Sequence, residues 1–491
     1  MKEIPLVPTT GLFTDFYELT MASGYFSLKH NPRAVFDMFF RKPPFAGGFS
    51  IFAGLKPLLD ALENLRFSAD DIGFLGTIGL FEKDFLDFLA GFRFTGDVWA
   101  FEEGSVVFPN EPILRIEGCL LETQIIESLL LNTVNFQTLI ATKAARMYLS
   151  SGKGELLEFG LRRAQGSNGA MAAARAAFIG GVRATSNTLA GKAFGIPVRG
   201  TMAHSWVMSF ETELEAFEKY AELYPNNCVL LIDTYDTLES GLKNAIIVGK
   251  KLKEKGIDIF GVRLDSGDLE FFSKEVRKQL DEAGLEKAAI VVSNELSEEV
   301  IQQLVLRSAP INVWGVGTNL VTAAGDPSLS GVYKLAQLSD DGRESANGHE
   351  IPVMKRSNNP EKMNNPGRKQ VFRFTSKTGK LEADVVALEQ ENFSPDMTYR
   401  LYHPLFQYRH FDLAAGKVTP MLSRVMKNGK KVMPDLSLDK IRKTALSGID
   451  CLDESFTRLL NPHIYRVSLS EKLMKLKFSL IEKMDNNRRA T

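Results

Sequence analysis

The stretch ELLEFGLRRAQGS, residues 155–167, decides how the middle of this 491-residue chain folds. Leu156-Leu157-Glu158-Phe159 is a short apolar run of the length a buried strand needs. Gly160 takes the chain out of it and presents Arg162 and Arg163, and the small-residue run SNGAMAAARAA then opens a helix. A strand that ends in a polar turn and passes into a helix is the repeating unit of a parallel sheet. Two adjacent guanidiniums at that junction point to a bound anion, and Phe159 beside them supplies a flat apolar surface.

Working outward, the same unit recurs. Strand candidates lie at 156–159, 181–185, 198–201, 229–233, 259–264, 289–293, 313–316 and 332–335. Amphipathic helices fit 211–223, 238–254, 269–283 and 297–308, preceded by a long helical stretch at 125–151. About eight such units in about two hundred residues favour a barrel over an open doubly wound sheet. Residues 121–338 are therefore assigned to an α/β barrel that carries the active site.

Upstream, residues 1–120 read as an N-terminal α+β domain. Thr14 is placed to cap a helix through DFYELTMASGYF, with Leu12, Phe16 and Leu19 on its apolar side and Tyr17 on another face. VFDMFF at 35–40 is a strand, helices follow near 55–65 and 83–89, and residues 96–118 alternate as an antiparallel β unit. Downstream, residues 339–491 form a C-terminal segment. Its first part, 339–369, is rich in Asn, Gly, Pro and Lys and reads as a flexible loop or lid. Short strands at 370–374 and 384–388 and a helix at 470–485 follow.

Composition limits the function classes. With 44% hydrophobic and 24% charged residues and a net charge of −1, the chain has no broad field for nucleic acid or an acidic membrane. Cys119, Cys228 and Cys451 are too few and too scattered for a disulfide framework or a four-thiolate zinc site. A reduced, cytoplasmic compartment is expected, with neither a signal-peptide core nor an apolar run long enough to span a bilayer.

Polar residues collect at the C-terminal ends of the proposed strands, the face on which barrel enzymes assemble their sites. GVGT at 315–318 offers backbone N–H groups and a hydroxyl where barrels seat a phosphate, although a plain two-glycine turn explains it equally well. No segment fits a P-loop. LDSGD sets Asp265 and Asp268 around a Ser-Gly turn: Asp268 reads as the cap of the following helix, and Asp265 as a carboxylate free to hold Mg²⁺ or face positive charge. His204, one of six histidines, follows a strand end and suits a base or a phosphoryl acceptor. The 96–118 unit lacks the lysine that a lipoyl or biotin carrier needs, and Tyr17 by itself reads as a surface tyrosine.

TDFYELTM, EFGLRRAQGS, GTMAHSWV, IDTYD, GVRLDSGD and GVGTNLV followed by GVYKL, in this order and spacing, closely resemble the nicotinate phosphoribosyltransferase family. The resemblance covers nearly the whole chain. It implies the type II phosphoribosyltransferase fold: an α+β sandwich domain, an irregular α/β barrel, and a C-terminal segment returning to the first domain. The implied reaction joins nicotinate to phosphoribosyl pyrophosphate, giving nicotinate mononucleotide and pyrophosphate for NAD synthesis, coupled to ATP hydrolysis.

It also implies residue roles. Phe159 stacks one face of the pyridine ring, and Tyr17 of a second subunit the other, so a homodimer with shared active sites is expected. Arg263 and Thr201 lie near the nicotinate carboxylate, and Asn187 falls in the stretch that sets specificity. Arg162 serves the phosphoribosyl and pyrophosphate groups, and Gly315, Gly317 and Thr318 the 5′-phosphate. His204 is the phosphorylated histidine, and Asp233 and Asp265 lie near the ribose and Mg²⁺. Nicotinamide-using relatives carry an Asp where this chain has the neutral Thr185-Ser186-Asn187, which favours nicotinate. The cysteine cluster of zinc-binding members is missing, so no zinc is expected. The alternatives are a type II phosphoribosyltransferase acting on nicotinamide or quinolinate, and a non-catalytic nucleotide-sensing barrel.

Overall fold

Two compact units make up the chain, one of residues 1–142 and 328–491, the other of residues 143–327. The structure, a computed structural model, describes residues 6–257, 261–339, 350–406 and 408–489. The expected boundaries at 120 and 338 thus move to 142 and 327. The first of these falls inside a continuous helix, Glu127–Ser150.

The 143–327 unit holds a six-stranded sheet, all of it parallel. Its order is Ala184–Thr185, Glu155–Glu158, Val313–Val316, Ala289–Ser293, Gly261–Leu264, Val229–Leu231. Leu157, Val291 and Val313 point to one face and share a core cluster with Ala184 and Val229 from the two opposite edges. One apolar seam thus crosses the sheet from edge strand to edge strand, as the inner face of the irregular α/β barrel expected for this fold does. Helices Leu242–Glu254, Leu269–Glu282 and Glu298–Leu306 each turn one stripe of buried residues inward. Buried Glu298 holds Lys143 at 2.6 Å and Arg146 at 3.0 Å.

Three strand expectations are corrected. The 181–185 strand shrinks to two residues, because Gly181 and Val182 still close the preceding helix by hydrogen bonds to Phe178 and Ala177. Residues 198–201 form no strand, only a single bridge from Val198 to Thr185. The 332–335 run is not a barrel strand at all. It lies within Gly331–Ser339, antiparallel to Arg33–Phe40 in the other unit. Its half-exposed pattern fits an antiparallel sheet, whereas a barrel strand is covered on both faces. The first residues of the 259–264 candidate, and residues 340–349 of the proposed flexible loop, lie outside the described residues.

The other unit carries two larger sheets. One has seven antiparallel strands, with Arg33–Phe40, Leu114–Cys119 and Asp97–Ala100 at its centre. The other has six, built around Lys369–Thr375 and Leu381–Leu388. The Phe16–Ser27 helix has Asp15, not Thr14, at its N-cap position, and no side chain caps it there. The Thr14 hydroxyl instead donates to Glu18 and to the Ile125 carbonyl. Among the described residues, no helix is long and apolar enough to cross a membrane.

Candidate active site

At the C-terminal ends of the parallel strands a cavity of about 350 Å³ opens. The sheet brings together side chains far apart in sequence: Phe159, Arg162 and Arg163 after the first strand, Ser186 after the second, then Thr201 and His204, Arg263 and Asp265, Ser293, and the Gly315–Thr318 turn. Three arginines against two carboxylates, Asp265 and Glu295, leave its lining net cationic. A neighbouring hollow of about 490 Å³ shares Asn294, Glu295 and Leu296, but its charged lining is all carboxylate, so anions belong in the first.

Arg263 is the hub. Its side chain leaves strand Gly261–Leu264 and donates from Nε to Ser293 Oγ at 2.8 Å, from Nη1 to Thr201 Oγ1 at 2.9 Å, and from Nη2 to Asp265 Oδ1 at 2.9 Å. These three side-chain partners, with the Met202 carbonyl 3.4 Å from Nη1, fix the guanidinium plane. Its Cζ lies 5.7 Å from the centroid of the Phe159 ring, within cation–π range. Gly315 makes room for that ring: a Cβ there would stand 2.8 Å from Phe159 Cδ2. One glycine of the expected phosphate turn is thus required by the aromatic wall itself.

Asp265 lines the same cavity, beside Arg263. Burial alone would raise its pKa, but the Ser293 hydroxyl, Arg263 and His204 outweigh burial and hold it below the ordinary carboxylate value. His204 follows Ala203 at the start of a short helix. Its Nδ1 lies 3.2 Å from Thr234 Oγ1 and its Nε2 3.8 Å from Asp265 Oδ2. Asp233 stands behind: its Oδ2 accepts the Asp265 backbone N–H at 3.0 Å and the Ser266 hydroxyl at 2.5 Å, while its buried Oδ1 has no partner among the described residues. Asp268 caps the Leu269–Glu282 helix by accepting Phe271 N–H. Gly267, at φ +75°, makes that turn.

Not every expected residue reaches the cavity. Asn187 is 2% exposed and does not line it; its Oδ1 accepts Ala190 N–H and caps the Thr188–Phe194 helix. Asn is a preferred residue at a helix start, and Ser186, one position earlier, faces the cavity instead. Tyr17 belongs to the other unit and is 48% exposed. Ser293, with Asn294 and Glu295 one of the polar strand ends expected on this face, does line the cavity, and its hydroxyl also donates to Asp265 Oδ1. Among the described residues, no cluster of three His, Cys, Asp or Glu is arranged to hold a metal unaided.

Comparison with known proteins agrees with this geometry. Models of the nicotinate phosphoribosyltransferase N-terminal domain, family region and C-terminal domain match residues 12–135, 155–393 and 368–477. A Bacillus subtilis protein named nicotinate phosphoribosyltransferase is 41% identical, covering 96% of this chain and 95% of its own. One of the same name from Caenorhabditis elegans is 37% identical, covering 96% and 93%. The crystal structure of human nicotinic acid phosphoribosyltransferase superposes with a TM-score of 0.82 at 32% identity, over 95% of this chain and 99% of that one. A nicotinate-nucleotide pyrophosphorylase from Pyrococcus furiosus shares the fold at 22% identity, with a TM-score of 0.69.

Proposed function

The chain belongs to the nicotinate phosphoribosyltransferase family, and from that premise we propose that it joins nicotinate to ribose C1 of phosphoribosyl pyrophosphate, yielding nicotinate mononucleotide and pyrophosphate for NAD salvage. One observation carries the reading to these residues: a guanidinium fixed by three partners beside an aromatic face, in a net cationic cavity. That pairing suits a flat ring bearing a carboxylate. The ring lies on Phe159, and its carboxylate meets Arg263 and Thr201. The neutral Ser186 adds no repulsion, which favours nicotinate over nicotinamide.

Loss of pyrophosphate leaves positive charge on the ribose. Asp265, held ionised by its neighbours, faces that charge and stabilises the transition state. Arg162 and Arg163 receive the departing pyrophosphate, and Gly315, Gly317 and Thr318 the 5′-phosphate. Mg²⁺ is the expected companion of the leaving group, where it would offset negative charge. Asp233 Oδ1, which has no partner among the described residues, and the ionised Asp265 fit a cation completed by water and phosphate oxygens.

ATP coupling is assigned to His204 as phosphoryl acceptor, with Thr234 and Asp265 orienting the two ring nitrogens. A homodimer is proposed in which Tyr17 of a second copy covers the ring face that Phe159 leaves open. Exposed apolar side chains on each unit support it: Phe16 and Tyr17 on one, Leu161, Leu189, Val198, Met208 and Tyr235 on the other.

The test is product formation from phosphoribosyl pyrophosphate and Mg²⁺ with nicotinate, nicotinamide or quinolinate, with and without ATP. Nicotinate is expected to be the preferred base, with ATP stimulation lost in His204→Ala while slow basal transfer persists. Faster turnover of nicotinamide would overturn the specificity, and stimulation surviving in His204→Ala would overturn that residue's role.

A further inference from the structure

Glu158 ends the strand before Phe159, is 1% exposed, and does not line the cavity. Phe159 packs with the inward cluster of Leu157, so by strand alternation Glu158 points to the opposite face, behind the site. A buried carboxylate is costly unless both oxygens are satisfied. Here Oε1 accepts the Gly160 N–H and Oε2 accepts the Thr185 hydroxyl. The Thr185 Oγ1 in turn accepts the Asn187 N–H at 2.9 Å, and the Glu158 carbonyl accepts the Ser186 N–H at 2.8 Å. One residue thus fastens the turn that carries Phe159 and the turn that carries Ser186. Gly160 permits the approach: a Cβ there would stand 2.3 Å from Val321 Cγ1 and 3.0 Å from Glu158 Oε1.

We infer that Glu158 is a positioning residue for the base substrate: its carboxylate ties the Phe159-Gly160 turn to the Thr185-Ser186 turn and so holds the slot for a flat anionic heteroaromatic at its working width. The inference rests on the reading that nicotinate stacks on Phe159. Phosphoribosyl pyrophosphate meets other parts of the cavity, Arg162, Arg163 and the Gly315–Thr318 turn, so the two substrates respond differently. Burial pushes the Glu158 pKa up, although the Thr185 and Gly160 donors pull it back. An amide at this position keeps one acceptor for Gly160 and can donate to Thr185 Oγ1, so Gln preserves most of the tie and Ala none.

The experiment measures separate KM values for nicotinate and phosphoribosyl pyrophosphate in wild type, Glu158→Ala, Glu158→Gln and Thr185→Val, alongside melting temperatures. Loss of the tie is expected to raise the nicotinate KM on the order of tenfold, with the phosphoribosyl pyrophosphate KM within about twofold. Thr185→Val should show the same bias at smaller size, and Glu158→Gln should restore the nicotinate KM to within about threefold. If Glu158→Ala does not fold, Thr185→Val, which removes one hydroxyl at nearly constant volume, decides alone. A fall in melting temperature with both KM values unchanged, or both raised equally, overturns the inference while leaving the functional reading intact. Wild-type protein that makes no product from nicotinate overturns the functional reading, and the inference with it.

Discussion

The paired cations of the sheet cores and the open cations of the cavity use charge in opposite ways. In the unit of residues 1–142 and 328–491, cations are closed off. Arg115 is fully buried against Glu117 and Glu389 and lies 4.5 Å from the Trp99 ring; Lys369 meets Asp37 at 2.8 Å; Arg373 meets Asp384 at 2.6 Å and the Val106 carbonyl at 2.8 Å. In the 143–327 unit, Arg162 and Arg163 line the cavity exposed, with no side-chain hydrogen bond or ion pair to a described residue. Of the three arginines that line the cavity only Arg263 is tied, and its ties aim it at the cavity. Paired charge fixes sheets; unpaired charge in a hollow waits for a ligand. The contrast predicts that substitutions in the first group cost stability and those in the second cost catalysis.

The largest effect is expected at Arg373→Met. It leaves Asp384 buried without its cation and should cost about 3–5 kcal/mol in chemical denaturation. A cost below about 1 kcal/mol would place that pair with weak surface bridges and break the comparison. Next comes Asp265→Asn, which keeps the shape and removes the charge. Its kcat should fall on the order of a hundredfold with little change in melting temperature. A kcat within a few-fold of wild type would remove Asp265 from the transition state.

The smallest effect sharpens the comparison where it is least obvious. Glu18 is fully buried and has no cation among the described residues. Burial and the nearby Glu127 raise its pKa from 4.5 to about 7, against the pull of the Thr14, Ser128 and Tyr17 hydroxyls. A raised carboxyl contributes stability in full below pH 4.5, and that contribution is lost as pH rises through about 7. Wild-type melting temperature should therefore drop more between pH 5 and 8 than that of Glu18→Gln, by roughly 3 °C. Parallel profiles would show that Glu18 ionises as readily in the fold as outside it.

Much of this was legible in the sequence. The strands 289–293 and 313–316 end where expected, because apolar runs bounded by turn residues carry their own limits. Phe159, Arg162, Arg263 and Asp265 meet in one cavity because a parallel sheet gathers strand ends by topology alone, and Thr201 and His204 join them from a loop and a short helix. What sequence left open was side-chain direction at single positions. Asn187 and Ser186 are equally polar, and only the start of the Thr188–Phe194 helix decides which one turns inward. Residues 332–335 read as a further barrel strand because a short run such as Val332, Tyr333 and Leu335 looks alike in either sheet; the partner of the strand they belong to, Arg33–Phe40, is about three hundred positions away. Glu158 acts through Thr185 on the neighbouring strand, which no local pattern announces.

The contrast between closed and open charge is tested most directly by a thermal-shift titration of Arg162→Ala with phosphoribosyl pyrophosphate and Mg²⁺. An open guanidinium predicts a ligand-free melting temperature within about 1 °C of wild type, and a ligand-induced rise that requires on the order of a hundredfold more phosphoribosyl pyrophosphate. A variant that melts several degrees lower without ligand, yet gains the wild-type rise at the wild-type concentration, would contradict the account.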